Sequence, residues 1–400
     1  MDINIAPATN AMILVTNNCN LRCKYCYENR SNKVIDLQIM KDAIDFILKN
    51  AEEACVIPKI TFFGGEPILH FDDIMKSAIE YVRSKNNNVI LCFVTNGLLL
   101  TEEQLQFYKN NDVKFMLSID GCKEAQDSNR IYANGSGSFD DLEEKIPLIL
   151  KYDPQTLARV TVTPSNIQYL FNSLKYLESC NFDRVHIMPN VFDVWSDDDF
   201  KIAEEQLGLI KDYIINKFEN DEIPLVPEII CQMFTKRVIK EYEESTNRYR
   251  MTPSTVPSKR CGIGSIGKVV IDTDGNIYTC PHCTMQPTED EIMFIGDIYN
   301  GINIDKIENL VVLNNEKPIY SNIFKCSDCP LDRICSGGCT PNNYMIYSDF
   351  NLVPECYCKW NRLLYKTAEE IVNYFDKYKT NDLFKDFFYG CVIKGVYCVC

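Results

Sequence analysis

Thr16-Asn17-Asn18-Cys19-Asn20-Leu21-Arg22-Cys23-Lys24-Tyr25-Cys26-Tyr27 is the stretch that decides how this chain is read. It leaves a short apolar run, Met12 to Val15, which has the pattern of a buried strand. Its three cysteines stand at CxxxCxxC spacing on a polar loop, short enough to turn three thiols toward one point. Thiolates are soft ligands that suit zinc or the iron of an iron–sulfur cluster. Structural zinc wants a fourth protein ligand. None is local: no histidine is near, and the next cysteine is Cys55. Three thiolates on a four-iron cluster leave one iron open to an outside ligand.

Outward from this loop, strand-like runs alternate with helical ones. Lys59 to Phe63, Val89 to Val94, Val113 to Ile119, Arg159 to Thr163 and Arg184 to Met188 read as strands. Ile35 to Leu48, Phe71 to Arg83, Phe139 to Leu150 and Ile167 to Leu177 read as helices, and Thr101 opens another as an N-cap. Such alternation means a parallel sheet with right-handed crossovers. Six units predict an α/β fold, a partial (β/α)6 TIM-like barrel. Barrels of this kind carry chemistry at the C-terminal ends of their strands. The polar punctuation lies there: Gly64-Gly65-Glu66-Pro67, Thr95-Asn96-Gly97 and Ser118-Ile119-Asp120-Gly121. These loops and the cysteine loop are expected to meet at one mouth.

Four hundred residues allow one large and one small domain. A net charge of −15 without a basic stripe disfavours nucleic acid. No apolar run of about 18 residues exists to span a membrane, and no export signal is visible. Twenty cysteines in such a chain point to metal binding in a reducing, cytoplasmic setting rather than to disulfides.

Past residue 200 the alternation fades. Phe200 to Phe218 reads as an amphipathic helix, and Glu241 to Arg260 as a polar boundary or substrate-facing loop. The cysteines then return. Cys261 is followed by Gly275 and Cys280; Asp274-Gly275, between two apolar runs, signals a hairpin. Cys326, Cys329, Cys335 and Cys339 follow at CxxCx5CxxxC spacing, and then Cys356. Paired CxxC knuckles alone would also fit zinc. A helix runs from Lys359 to about Tyr378, and an apolar tail carries Cys391, Cys398 and Cys400.

CxxxCxxC with an aromatic residue, Tyr25, before the third cysteine resembles the radical S-adenosylmethionine (SAM) enzymes. The resemblance implies that Cys19, Cys23 and Cys26 hold a [4Fe-4S] cluster whose open iron chelates SAM. Gly64, Gly65, Glu66 and Pro67 resemble the motif that receives the SAM amino group. Ser118 and Asp120 resemble ribose and carboxylate contacts, Asn129 and Arg130 would add a carboxylate clamp, and Thr95, Asn96 and Tyr25 complete the expected SAM site. The second set of cysteines resembles the SPASM domain of peptide-modifying radical SAM enzymes, with two auxiliary [4Fe-4S] clusters. By that likeness Cys261, Cys280 and Cys339 hold one, its fourth position left to Cys283, to a tail thiol such as Cys391 or to a substrate thiolate. Cys326, Cys329, Cys335 and Cys356 hold the other, with Cys358 as the alternative to Cys356. Domains are expected at 1–220 (barrel), 221–260 (bridge), 261–360 (SPASM) and 361–400 (helix and tail).

The resemblance also implies the reaction. A donor such as flavodoxin or ferredoxin reduces the SAM cluster, a 5′-deoxyadenosyl radical takes a hydrogen atom from a peptide or protein substrate, and an auxiliary cluster accepts an electron. The leading expectation is a maturase that crosslinks a ribosomally made, cysteine-rich peptide through a thioether. The alternative is an anaerobic sulfatase-maturing enzyme; those relatives carry Asp directly after the Gx4C cysteine, where this chain has Pro281. A non-catalytic electron carrier or zinc scaffold is the reading from another class.

Overall fold

The computed structural model describes residues 7–28, 30–246, 263, 267–284, 292–315, 319–331, 335, 337–378 and 381–394. Cys261, Cys398 and Cys400 lie outside them.

Six βα units come first. They are β1 (Asn10–Leu14) with α1 (Leu37–Glu53), β2 (Lys59–Phe63) with α2 (Lys76–Lys85), and β3 (Ile90–Thr95) with α3 (Glu102–Asn110). Next is β4 (Val113–Ser118), followed by the short helices α4 (Lys123–Asn129), α5 (Phe139–Glu143) and α6 (Ile146–Tyr152). The last two units are β5 (Leu157–Val162) with α7 (Leu170–Ser179), and β6 (Val185–Pro189) with α8 (Asp197–Glu219). Strands β1 to β6 pair in parallel in chain order. The helices bury one stripe each: α1 turns Met40, Ala43, Ile44, Ile47 and Ala51 inward, the spacing of one helical face. Thr101 caps α3 in a reciprocal capping box with Gln104, and Ser196 caps α8 in the same way with Asp199.

Two expectations from the sequence differ. The run from Phe139 to Leu150 is broken in two, and Pro147 sits in the first turn of the second piece, where its missing N–H costs nothing. The polar stretch from Glu241 is not a loop at its start: α9 (Glu228–Thr246) reaches to Thr246, and 247–260 lie outside the described residues.

The remaining strands are β7 (Lys268–Ile271), β8 (Asn276–Tyr278), β9 (Phe294–Asp297) and β10 (Gly301–Ile302). β7 and β8 form the expected hairpin around Asp274-Gly275, with Gly275 at φ +85°. β7 pairs in parallel with β1, so one ten-stranded sheet runs in the order β10-β9-β8-β7-β1-β2-β3-β4-β5-β6. Among the described residues β6 and β10 do not pair, and the barrel is open. Helices α10 (Ile304–Asn315), α11 (Thr340–Tyr347), α12 (Glu355–Tyr378) and α13 (Asp382–Lys394) complete the chain. The tail docks as a helix. Phe384 and Phe387 of α13 pack on Phe218 of α8, and Phe384 stacks on Phe375 of α12 at 4.2 Å.

The sheet has two faces. Val160, Val162, Val185 and Ile187 belong to the main core under the helices. Leu14, Phe63 and Val270, and separately Cys92, Met116 and Leu157, pack on the opposite face and line the barrel interior.

The junction of β7 with β1 turns on Gly267. Its carbonyl accepts from the Thr9 and Asn10 N–H groups, its φ is +66°, and a Cβ there would lie 2.3 Å from the Pro7 oxygen. Gly267→Ala is expected to lower unfolding free energy by about 1–3 kcal/mol in urea titrations. Gly208→Ala, inside α8 with open space at its Cβ, is expected to raise it by about 0.5–1 kcal/mol.

Candidate functional site

The cysteine loop is held by backbone. Thr16 O accepts from Gly65 N (2.7 Å) and Asn18 O from Glu66 N (2.7 Å). A Cβ on Gly65 would stand 2.1 Å from Asn18 O, and one on Gly64 2.4 Å from Thr16 O. Both glycines serve first to let two loops touch. On the other side Leu21 bridges to Tyr132, Arg22 N donates to Ile131 O and Lys24 N to Asn129 O.

Glu66, 1 % exposed, ties the mouth together. Its Oε1 accepts from the Thr95 hydroxyl (2.9 Å) and Ile68 N (3.3 Å), and its Oε2 from Asn96 N (2.7 Å). Burial pushes its pKa up to about 7, although these bonds pull the other way. Asn96 Nδ2 donates to Asn20 Oδ1 (2.7 Å) and lies 3.9 Å from Cys19 Sγ. Glu66, Thr95, Asn96 and the cysteine loop thus form one connected group, and Pro67 starts the short helical turn behind it.

Asp120 is engaged rather than open. The Tyr25 hydroxyl donates to its two carboxylate oxygens (2.8 and 3.0 Å) and Thr161 N to its Oδ1, while Arg130 Nε lies 3.1 Å from the same oxygen. The Arg130 guanidinium also covers the Tyr25 ring at 5.3 Å. Asn129 is bonded to Ser128, Thr163 and Ser165. Ser118, at the end of β4, has no side-chain hydrogen bond among the described residues. The residues expected to contact SAM therefore divide: Ser118 is open, whereas Asp120, Asn129 and Arg130 hold the loop in place.

Cys19, Cys23 and Cys26 lie close enough to feel one another's charge, and burial pushes the Cys19 thiol up to about 12. Leu21 N donates to Cys19 Sγ at 3.4 Å, the kind of N–H···S bond that tunes cluster sulfurs. Among the described residues no three ligand side chains stand assembled as a ready metal site. An all-thiol donor set on a backbone-pinned loop fits an iron–sulfur cluster.

A second thiol group gathers Cys326, Cys329 and Cys335 around Cys358, whose pKa burial and these three neighbours push up to about 11. Gly337 N donates to Cys335 Sγ (3.3 Å). Cys356, the residue expected here, is not among them; it faces Asp193. The reason is helical phase: both cysteines lie in the first turn of α12, and two residues turn about 200°. A third group pairs Cys280 with Cys283 across a 3-10 turn, where the hydrogen bond with the Cys283 thiol, and then burial, hold the Cys280 pKa well up. Cys339 caps α11. Between the thiol groups lies His282. Its ring is 4.3 Å from that of Tyr27 and 5.9 Å from that of Phe192, and its Nδ1 is 2.6 Å from Asn342 Oδ1.

With this geometry in view, comparison with known proteins is direct. The radical SAM superfamily profile matches residues 13–207. The chain belongs to the radical SAM superfamily. It is an enzyme that uses SAM and an iron–sulfur cluster, related to sulfatase maturases and peptide modifiers. The cysteine-type anaerobic sulfatase-maturating enzyme of Clostridium novyi is 24% identical over 82% of this chain and 86% of that protein. The radical SAM cyclopropyl synthase TigE of Paramaledivibacter caminithermalis is 24% identical over 90% of this chain and 73% of its own length. The fold is that of anSMEcpe with bound AdoMet (TM-score 0.70, 18% identity, 92% of this chain and 100% of that one). Streptococcus suis SuiB bound to precursor peptide SuiA is also similar in fold (TM-score 0.59, 15% identity, 89% and 77%). Among the described residues no helix is long and apolar enough to cross a membrane.

Sequence reading passed over Tyr27, Glu28 and Arg159. Glu28 is largely buried, has an Oε2 without a partner, and is pushed up to about 8 by desolvation and Glu66. A carboxyl two residues after the third cysteine of the loop was its only signal. Arg159 had a clearer one, a charge on the inward alternation Leu157-x-Arg159-x-Thr161.

Glu66 makes a pH prediction. Its folded pKa lies above its unfolded value, so the stability contributed by its neutral form is complete below about pH 4.5 and lost as pH rises through about 7. Glu66→Gln in the metal-free protein is expected to flatten the decline of unfolding free energy over that window. An unchanged slope refutes the assignment.

Proposed function

We propose that this enzyme is a peptide maturase that removes a hydrogen atom from a peptide substrate and forms a crosslink, a thioether where a substrate cysteine adjoins the radical carbon. Cys19, Cys23 and Cys26 are the proposed ligands of the SAM cluster. When bound, cluster and SAM supply a 5′-deoxyadenosyl radical, the species that removes the hydrogen atom. The protein's part is position and seclusion. Glu66 fixes the Gly64-Gly65 turn against the cysteine loop, and the Tyr25–Asp120–Arg130 group fixes the loop's other end. Ser118 remains available to a ligand. Tyr27 packs inside the barrel and carries the contact from the cysteine loop to His282 beside Cys280.

Two auxiliary clusters accompany it in this reading. Cys326, Cys329, Cys335 and Cys358 would hold one. Cys280, Cys283 and Cys339 would hold the other, with Cys261, which lies outside the described residues. The pairing of Cys283 with Cys280 supports a protein thiolate at the fourth position, which leaves no iron for a substrate thiolate and makes this cluster an electron acceptor. The observation that carries the crosslinking reading is Pro281 directly after Cys280, where a formylglycine-forming relative has its carboxylate base.

The second reading, sulfatase maturation, is favoured by similarity along most of the chain to proteins of that name. The product separates the two. A crosslinked peptide loses two hydrogens and keeps its sulfur, whereas a cysteine converted to formylglycine loses its sulfur. Mass spectrometry of cysteine-containing peptides after anaerobic turnover reads this directly, and loss of sulfur overturns the crosslinking reading. Changing Cys19, Cys23 and Cys26 together to Ala is expected to abolish 5′-deoxyadenosine while about eight irons per chain remain.

The helix phase at α12 makes a narrower prediction. Cys358→Ala is expected to lower iron by about four per chain, and Cys356→Ala to leave it unchanged. The opposite result restores Cys356 as the ligand.

A further inference from the structure

Helix α13 lies on α9 along an aromatic seam that ends in two thiols. Phe234 of α9 meets Phe384 (6.3 Å) and Phe388 (5.5 Å) of α13. Cys231 stands three residues before Phe234, and Cys391 three residues after Phe388. A spacing of three keeps each cysteine on the face of its helix that carries the contact. The Thr235 hydroxyl lies 3.4 Å from Cys231 O and 3.5 Å from Cys391 O, which sets the Cys391 turn against the Cys231 turn. The two thiols are hydrogen-bonded to each other. Cys231 is buried in the main core, and Cys391 is half-buried at its margin.

Neither thiol belongs to a cluster in the reading above. Cys391 was one expected occupant of the fourth position on the Cys280 cluster. The structure sets it against Cys231 instead, and Cys280 has Cys283 as its thiol neighbour. A single buried thiol is inert. Two facing thiols are not, because once one sulfur is capped the second attacks from within the same molecule. Exposure sets the order of events here. A small disulfide reaches Cys391 first, since Cys231 is shielded. The bond with Cys391, and then burial, hold the Cys231 thiol well above the ordinary thiol range. Capping Cys391 removes that bond and the Cys391 charge together, and so frees Cys231 to act.

We propose that Cys231 and Cys391 are a redox-active pair, oxidised to a disulfide by small-molecule disulfides, and that the new bond tethers α13 to α9. The Cys391 thiolate attacks one sulfur of the external disulfide and releases the other half as a thiol. Cys231 then gives up its proton and attacks the Cys391 sulfur, which releases the second half. Two protein thiols become one disulfide, one external disulfide becomes two thiols, and two electrons and two protons pass to the oxidant. The chain between the pair carries every cysteine proposed for the auxiliary clusters, so the bond closes a ring around them. The inference is independent of the crosslinking reading, which the product masses decide.

The test uses the full chain, reconstituted without oxygen, as wild type, Cys231→Ser and Cys391→Ser. Each is incubated anaerobically with glutathione disulfide, alkylated, digested with trypsin and read by mass spectrometry. Cys231 and Cys391 fall in the tryptic peptides 218–236 and 386–394, and each peptide holds no other cysteine. In wild type these two peptides are expected joined in more than half of the chains, and dithiothreitol is expected to separate them. The joined species is expected in neither variant. In Cys231→Ser the intermediate cannot resolve, so glutathione on Cys391 is expected to rise at least fivefold over wild type. Iron content is expected to be unchanged in both variants. No joined peptide at an oxidant level that fully caps the exposed Cys55 overturns the proposal. So does Cys391 joined to any other cysteine. A loss of about four irons in Cys391→Ser overturns it too, and makes Cys391 a cluster ligand.

Discussion

Everything at the mouth of the barrel depends on one contact, the backbone of Thr16 to Asn18 lying directly on Gly64 and Gly65. The two hydrogen bonds across it are possible because no Cβ intervenes. Glu66 then locks the arrangement from behind, with Thr95 and Asn96 as its donors. A buried carboxylate with three donors is a rigid joint, and leaving it unpaired would cost the full price of desolvation. Rigidity is what a loop of three thiols needs if it is to present them to one cluster. Three strand ends are thereby coupled to a single ligand-binding loop.

The second organising fact is that the sheet does not stop at β1. Because β7 adds in parallel to its free edge, the hairpin carrying Cys280 and Cys283 stands beside the cysteine loop. Tyr27 and His282 make the contact between the two, and Asn342 joins His282 to the helix that Cys339 caps. The electron acceptor proposed for the reaction and the proposed SAM cluster are therefore held by adjacent parts of one sheet.

The βα order, the capping residues and the loops after β2, β3 and β4 were legible in the sequence because each is a local pattern. Thr101 reads as a cap, and Asp274-Gly275 as a turn, from their neighbours alone. The contacts of Asp120 were not legible: its partners Tyr25 and Thr161 are distant in the chain, and only folding shows that it binds protein before ligand. The end of α9, Glu241 to Thr246, was missed because its polar sequence carries no apolar periodicity. The choice between Cys356 and Cys358 was open in the sequence because spacing cannot fix a helix's rotation.

The sequence by itself determined the chemistry at hand: which thiols exist, at what intervals, and which loops end the strands. Those are properties of neighbouring residues, and covalent spacing sets them. The tertiary structure alone decided which of these groups are already occupied. Asp120, Asn129 and Arg130 have partners, whereas Ser118 and Arg159 share an interior wall with donors to spare. Occupancy of a polar group is a matter of pairing across the sheet, and pairing between residues far apart in the chain is written in no local stretch of it.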